Sequence, residues 1–244
     1  MQLMKRSMEF IDGVLLVDKG PGMTSHDVVA MARRCLNIKK IGHCGTLDPM
    51  ATGLLILVLG RATKIQDLLM SEDKEYVGAL TLGVSTSTQD REGEELERRE
   101  VPEFSRDQIE EVFAEFQGDF YQMPPMVSAI KKDGVPLYKL ARQGKEVERA
   151  PRLVHIFSHE LGEITLPEVH FTVRCSKGFY VRTYAHDIGD KLGCGAHLSD
   201  LRRTRSGRFE ASTAVNWEWL KDGRKDDVLE SLISLPEVSK LRGA

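Results

Sequence analysis

One carboxylate stands out in the stretch 42–53, Gly-His-Cys-Gly-Thr-Leu-Asp-Pro-Met-Ala-Thr-Gly. Asp48 sits between a leucine and a proline, and the proline biases it toward extended backbone. Gly45 and Gly53 permit sharp turns on either side. The next six residues, 54–59, form an apolar run between glycines that reads as a buried strand. A carboxylate on a short rigid loop beside a buried strand has the fixed position that acid–base or nucleophilic chemistry needs. An Asp-Pro turn whose carboxylate caps backbone groups has the same pattern. Spacing alone favours the turn.

Other groupings are weaker. Cys44 beside His43 could suggest a thiol enzyme, but chain neighbours rarely orient as nucleophile and base, and no third group is evident. His155 and His159 with Glu160 have an i, i+4 spacing, yet the stretch reads as a strand, where they would not share a ligand geometry. Gly193-Cys194-Gly195 lacks the rest of a dinucleotide fingerprint. Cys35, Cys44, Cys175 and Cys194 form no CxxC pair, which argues against a zinc ribbon. Free thiols fit a reducing cytoplasm.

The elements that must position these groups follow from pattern. Residues 13–18 read as a strand ending in the turn cluster Lys19-Gly20-Pro21-Gly22. Thr24 or Ser25 can cap a helix running to Cys35. Residues 75–84 alternate as a strand with Tyr76, Gly78, Leu80 and Leu82 on one side. Residues 89–102 read as a polar loop. Residues 105–116 carry a helical face of Ile109, Val112, Phe113 and Phe116. Pro124-Pro125 ends regular structure, and residues 138–142 fit a short helix stopped by Gly144. Residues 154–173 read as two strands around Leu166-Pro167, and residues 178–189 as a strand running into a helix. Strands and helices mix without a βαβ repeat, so the expected class is α+β.

The 244 residues suit one large domain, or one with an appendage. The composition, 41% hydrophobic and 29% charged, excludes collagen-like and wholly disordered chains. No secretory leader is evident, and the longest apolar run is too short to span a bilayer. The net charge of −3 hides segregation. Residues 89–118 hold eleven acids against four arginines, net −7. Residues 131–152 hold seven bases and three acids, net +4, and residues 172–208 eight bases and three acids, net +5. Charge runs are usually solvated faces. Two basic runs with interleaved aromatics, Tyr138 and then Phe179, Tyr180 and Tyr184, raise a nucleic-acid reading.

Gly45-Thr46-Leu47-Asp48-Pro49-Met50-Ala51-Thr52-Gly53 resembles the catalytic motif of the TruB family of tRNA pseudouridine synthases. Residues 13–25 resemble that family's opening motif, and Asp73-Lys74-Glu75-Tyr76 its tyrosine motif. Phe116-Gln117-Gly118 through Pro124-Pro125, Ser128-Ala129 and Lys131 resembles the start of its RNA-clasping insertion. Residues 175–183 resemble its arginine motif, and residues 192–198 with Leu201-Arg202-Arg203-Thr204 its final core motif. Motifs in order from 13 to 209 are a specific signal. Two departures stand out. The family's Lys-Pro is Lys19-Gly20-Pro21 here, and the residues after 209 are too few for the PUA RNA-binding domain common in the family.

The resemblance implies a pseudouridine synthase fold, α+β, with a central mixed, mostly antiparallel sheet flanked by helices. Residues 10–244 would form the catalytic domain, including an RNA-clasping insertion at 117–152, with a tail at 1–9 and no PUA domain. The implied activity is isomerisation of uridine 55 in the tRNA T-loop, with the T-arm as partner and no cofactor, metal or membrane. Asp48 is the implied catalytic carboxylate, needed in its ionised form. Arg182 is its expected partner, and Tyr76 the ring against which the extruded base packs. Tyr180 and Leu201 line the same pocket, and His43 fills the space the flipped base leaves. Lys19 and the 21–25 turn support the catalytic loop. Lys131, Lys132, Lys139, Arg142 and Lys145 grip the phosphate backbone. A non-catalytic RNA-binding or tRNA-folding protein on the same scaffold is the alternative. The intact Asp48, Tyr76 and Arg182 weigh against it, while a folding role beside catalysis is compatible. A cytoplasmic monomer is expected.

Overall fold

The computed structural model describes residues 11–128, 131–132, 134–137, 140, 143 and 147–243. The tail at 1–9, Tyr138, Lys139, Arg142, Lys145 and the side chains of Lys131 and Lys132 lie outside the described residues, as does most of the helix expected at 138–142. The chain divides into two compact units.

The first unit takes the described residues up to Pro49, then Gly53–Ser71 and the chain from Arg208. Strand β1 (Gly13–Lys19) pairs antiparallel with β3 (Thr52–Leu59), in register from Gly13↔Leu59 to Lys19↔Gly53. Strand β2 (Ile41–Cys44) adds antiparallel to β3, and β14 (Val215–Asn216) adds parallel to β1. Residues 54–59 are fully buried, as a continuous apolar run covered on both faces must be. Val14, Leu16, Cys44, Leu54, Ile56, Val58 and Phe209 form the core.

Helix α1 (Ser25–Leu36) is capped by Thr24, not Ser25. Thr24 Oγ1 accepts from the Asp27 amide and Asp27 returns a bond to the Thr24 amide, a reciprocal cap. A 3-10 turn (Gly60–Ile65) leads into α2 (Gln66–Met70). After Arg208 the chain supplies β13 (Phe209–Glu210), β14 and the later helices α5 (Trp217–Lys221), α6 (Lys225–Glu230) and α7 (Leu235–Arg242).

The second unit, Met50–Thr52 with Glu72–Gly207, contains antiparallel strands. These are β4 (Lys74–Leu82), β7 (Gly118–Gln122), β10 (Arg152–Thr165), β11 (Glu168–Cys175) and β12 (Ala196–Ser206). Their order is β12-β4-β11-β10-β7. Alternation in β4 buries Tyr76, Leu80 and Leu82, the side that the sequence marks as inward. Helices α3 (Arg106–Ala114) and α4 (Val181–Lys191) supply Phe113 and Tyr184, whose rings meet edge-on and both lie within 6 Å of Phe171 on β11. Strand β7 pairs with β10 from Gly118↔Ile156 to Arg152↔Gln122, so the chain between leaves from and returns to one ladder. Within it, β8 (Lys131–Lys132) pairs with β9 (Val135–Pro136). The α+β class and mixed, mostly antiparallel pairing are those the sequence implies.

Two local expectations are corrected. Within the polar loop expected at 89–102, β6 (Glu95–Arg98) pairs with β5 (Val84–Thr86). Its four residues are all exposed, so no apolar alternation marked it. The strand expected before α4 is instead a turn with Gly178 at φ +81°, followed by Tyr180, extended as the helix N-cap.

Candidate active site

The backbone around Asp48 is held from both sides within the first unit. Ser25, at the start of α1 and buried, accepts from the Leu47 amide through Oγ at 2.9 Å and donates to the Leu47 carbonyl at 3.2 Å. Beyond Asp48, the Pro49 carbonyl accepts from the Gly22 amide at 2.9 Å and from the Lys19 ammonium at 3.2 Å. Lys19 is fully buried, and its Nζ also donates to the carbonyls of Gly20 and Met23, both at 2.9 Å. Carbonyl oxygens thus replace the water a buried ammonium loses. Gly45 and Gly53 bracket the loop at φ +83° and +94°, the left-handed region that favours glycine. Asp48 itself is half-buried. His43, on β2, meets the ring of His26 edge-on at 5.2 Å.

Tyr76, Leu201, Tyr180 and Arg182 belong to the second unit. Tyr76 on β4 and Leu201 on β12 are 8% and 5% exposed. Leu201 registers with Gly78, two residues from Tyr76, so both side chains share one face. A Cβ at Gly78 would come 2.9 Å from the Asp200 carbonyl and 3.1 Å from Phe171, so only glycine keeps this approach. Beside Tyr76, burial and then the Arg203 charge bring the Lys74 ammonium down from 10.5 to about 8.

Tyr180 and Arg182 open helix α4. The Tyr180 amide donates to Gln122 Oε1 at 2.8 Å, and Gln122 Nε2 donates to the Tyr180 carbonyl at 3.0 Å. The Arg182 guanidinium is 4% exposed. Its Nη1 donates to the Thr88 carbonyl at 2.9 Å and its Nη2 to the Val127 carbonyl at 2.6 Å. Asp90 Oδ2 lies 3.6 Å from Nη1. Asp90 is itself buried and accepts from Thr88 Oγ1 and the Glu92 amide. The planar fork is therefore a buried cation fixed in direction.

The structure thus brings Lys19 to the loop of Asp48, Tyr76 beside Leu201, and Tyr180 beside Arg182. Sequence reasoning missed Gln122, Thr88 and Asp90. Asp90 is one of eleven acids in its run, and nothing local marks it as buried. Ser25 was legible as one of two candidate caps and as the end of the 21–25 turn expected to support the catalytic loop, but not as the partner of Leu47.

The competing groupings resolve as packing. Cys44 is buried in the first unit's core. His155 Nδ1 meets Asp119 at 2.8 Å, while His159 meets Glu110 at 3.0 Å and Gln117 at 3.2 Å, so the two are tied to different partners. Among the described residues, no three His, Cys, Asp or Glu side chains cluster to hold a metal. Gly193 and Gly195, at φ +79° and +74°, form the turn between α4 and β12.

The first unit thus holds the backbone on both sides of Asp48, and the second holds a buried, oriented guanidinium and a largely buried phenol. Residues 33–181 match the TruB family pseudouridylate synthase (N terminal domain), and residues 182–237 match the tRNA pseudouridylate synthase B C-terminal domain. The chain is 54% identical over 230 residues to a tRNA pseudouridine synthase B of Opitutus terrae, covering 94% of this chain and 91% of that one. A tRNA pseudouridine synthase B of Syntrophotalea carbinolica is 50% identical, over 93% of this chain and 74% of its own length. A solved chain from a Cbf5-Nop10-Gar1 complex superposes with a TM-score of 0.71 at 32% identity, covering 94% of this chain. This chain spans about three fifths of that one's length, 62%. Sequence motifs, fold and family matches over most of its length agree: the chain belongs to the TruB family of pseudouridylate synthases.

Proposed function

We propose that the chain isomerises a flipped-out uridine of the tRNA T-loop, uridine 55, to pseudouridine through the ionised carboxylate of Asp48. The observation that carries this reading is the two-sided pinning of the Asp48 loop by Ser25, Gly22 and Lys19, in a chain of this family. Rigid presentation is what differential stabilisation of a transition state requires.

The reaction breaks the N1–C1′ bond, turns the base, joins C5 to C1′ and moves the C5 proton. Electrons and atoms balance within the nucleotide, so the chemistry calls for no cofactor. Attack on the base, attack on the sugar and proton removal toward a glycal all use the same ionised oxygen of Asp48. Arg182 is the cation that holds this oxygen ionised and directed. Tyr76 packs on the extruded base and stands ready to take the C5 proton. Tyr180 and Leu201 shape the walls, and His43 stacks in the gap left in the T-loop. Lys131, Lys132, Lys139 and Arg142 bind T-arm phosphates. The enzyme acts as a cytoplasmic monomer, and no helix among the described residues is long and apolar enough to cross a membrane.

The test is to map pseudouridine in an unmodified tRNA transcript after incubation with the wild type and with Asp48→Asn. Wild type should yield pseudouridine at the T-loop position alone. Asp48→Asn should bind the transcript and yield none. Product from Asp48→Asn at the wild-type rate would sink the assignment.

A further inference from the structure

Gln122 ends β7 at the root of the basic insertion, and its side chain is 2% exposed. Both polar atoms of its amide are spent on one residue 58 positions away: Oε1 accepts from the Tyr180 amide and Nε2 donates to the Tyr180 carbonyl. This two-point clasp imitates a backbone bridge at a place where β11 has already ended, just before Arg182 enters α4. Five residues past Gln122, the Val127 carbonyl accepts from Arg182 at 2.6 Å. The Pro124 carbonyl between them accepts from Arg149 on the insertion's returning arm at 3.0 Å. Pro124, Pro125 and Ser128 are buried, so this root is packed.

We infer that Gln122 is a positioning residue of the reaction, resting on the function proposed above. It fixes the Tyr180 backbone and, with Val127, sets the direction of Arg182. The segment whose lysines are proposed to bind RNA thereby also fixes the catalytic end of α4. At this length of side chain a neutral amide offers a donor and an acceptor in one plane, which an ionised carboxylate does not.

The experiment measures single-turnover rates and RNA affinity for the wild type, Gln122→Ala and Gln122→Glu on an unmodified tRNA transcript. Gln122→Ala should lose about ten- to a hundredfold in rate, the size of a misplacement near 1 Å, with affinity changed less than about threefold. Gln122→Glu as a carboxylate turns an acceptor toward the Tyr180 carbonyl; protonated, it restores both bonds. Its rate relative to wild type should therefore climb as pH falls from about 8 to 5.5, where a buried glutamate takes up its proton, while the Gln122→Ala ratio stays flat. Lowered thermal stability with rates intact in both variants overturns the inference, as does a loss confined to affinity, or a flat Gln122→Glu ratio. A wild type that forms no pseudouridine would overturn the proposed function itself, a result distinct from an active wild type indifferent to Gln122.

Discussion

Ser25 holds Leu47 by both of its backbone groups: the hydroxyl accepts from the amide at 2.9 Å and donates to the carbonyl at 3.2 Å, across 22 residues of chain. Leu47 is buried and immediately precedes Asp48. Ser25→Ala leaves the Leu47 amide without its partner, at a cost of about 1–3 kcal/mol. The melting temperature should fall by roughly 2–10 °C for a chain of this size. The rate should fall more than KM rises, because the loop under Asp48 loosens. Thermal unfolding and steady-state kinetics check both parts; an unchanged rate would free the loop's geometry from Ser25.

Arg182 reaches two carbonyls with two different nitrogens while Asp90 stands 3.6 Å away. Arg182→Lys keeps the charge but loses the planar fork. Product formation should drop by about 10²-fold or more, the size of losing a pre-organised electrostatic partner. Single-turnover rates at saturating enzyme measure it, and a rate within about twofold of wild type would contradict the role.

Burial raises the Asp187 carboxyl on α4 from 3.8 to about 6, with His186 pulling it partly back down. The native state therefore holds this proton where the unfolded chain has released it. Its contribution to stability falls as pH rises from about 4 to 6 and stays lost above. Asp187→Asn removes that penalty. Its melting temperature should match wild type near pH 3.5 and exceed it by a few degrees at pH 7.5. Equal melting temperatures at both pH values would contradict the burial argument.

Reversing charge at Lys131, Lys132 and Lys139 should weaken transcript binding and flatten its dependence on salt. Removing three phosphate partners lowers the slope of log affinity against log salt by about two to three. Filter binding across a salt series measures this, and an unchanged slope would remove these lysines from the RNA interface.

Much of the frame was legible in the sequence because it depends on short-range rules. The apolar run at 54–59, the alternation at 75–82 and the apolar face at 105–116 each mark one element by its own period. The local pattern put Asp48 on a loop and Tyr76 on a strand, and left Arg182 in a stretch read as a strand running into a helix, where the structure has the first turn of α4. The hairpin arm at 95–98 escaped because all four side chains are exposed and three are charged, so its one apolar residue, Leu96, makes no alternation.

The sequence by itself determined which chemistry the chain carries and the elements that carry it. Tertiary structure alone decided what holds those groups still. The partner of the Leu47 amide lies 22 residues away, the two partners of Gln122 lie 58 away, and the Thr88 carbonyl that orients Arg182 lies 94 away. Periodicity records which face of an element meets the core, because that repeats every two or three to four residues. A single hydrogen bond between distant positions repeats nothing. So the burial of Asp90 among eleven acids, and the grip of Gln122 on Tyr180, exist only once the chain has folded.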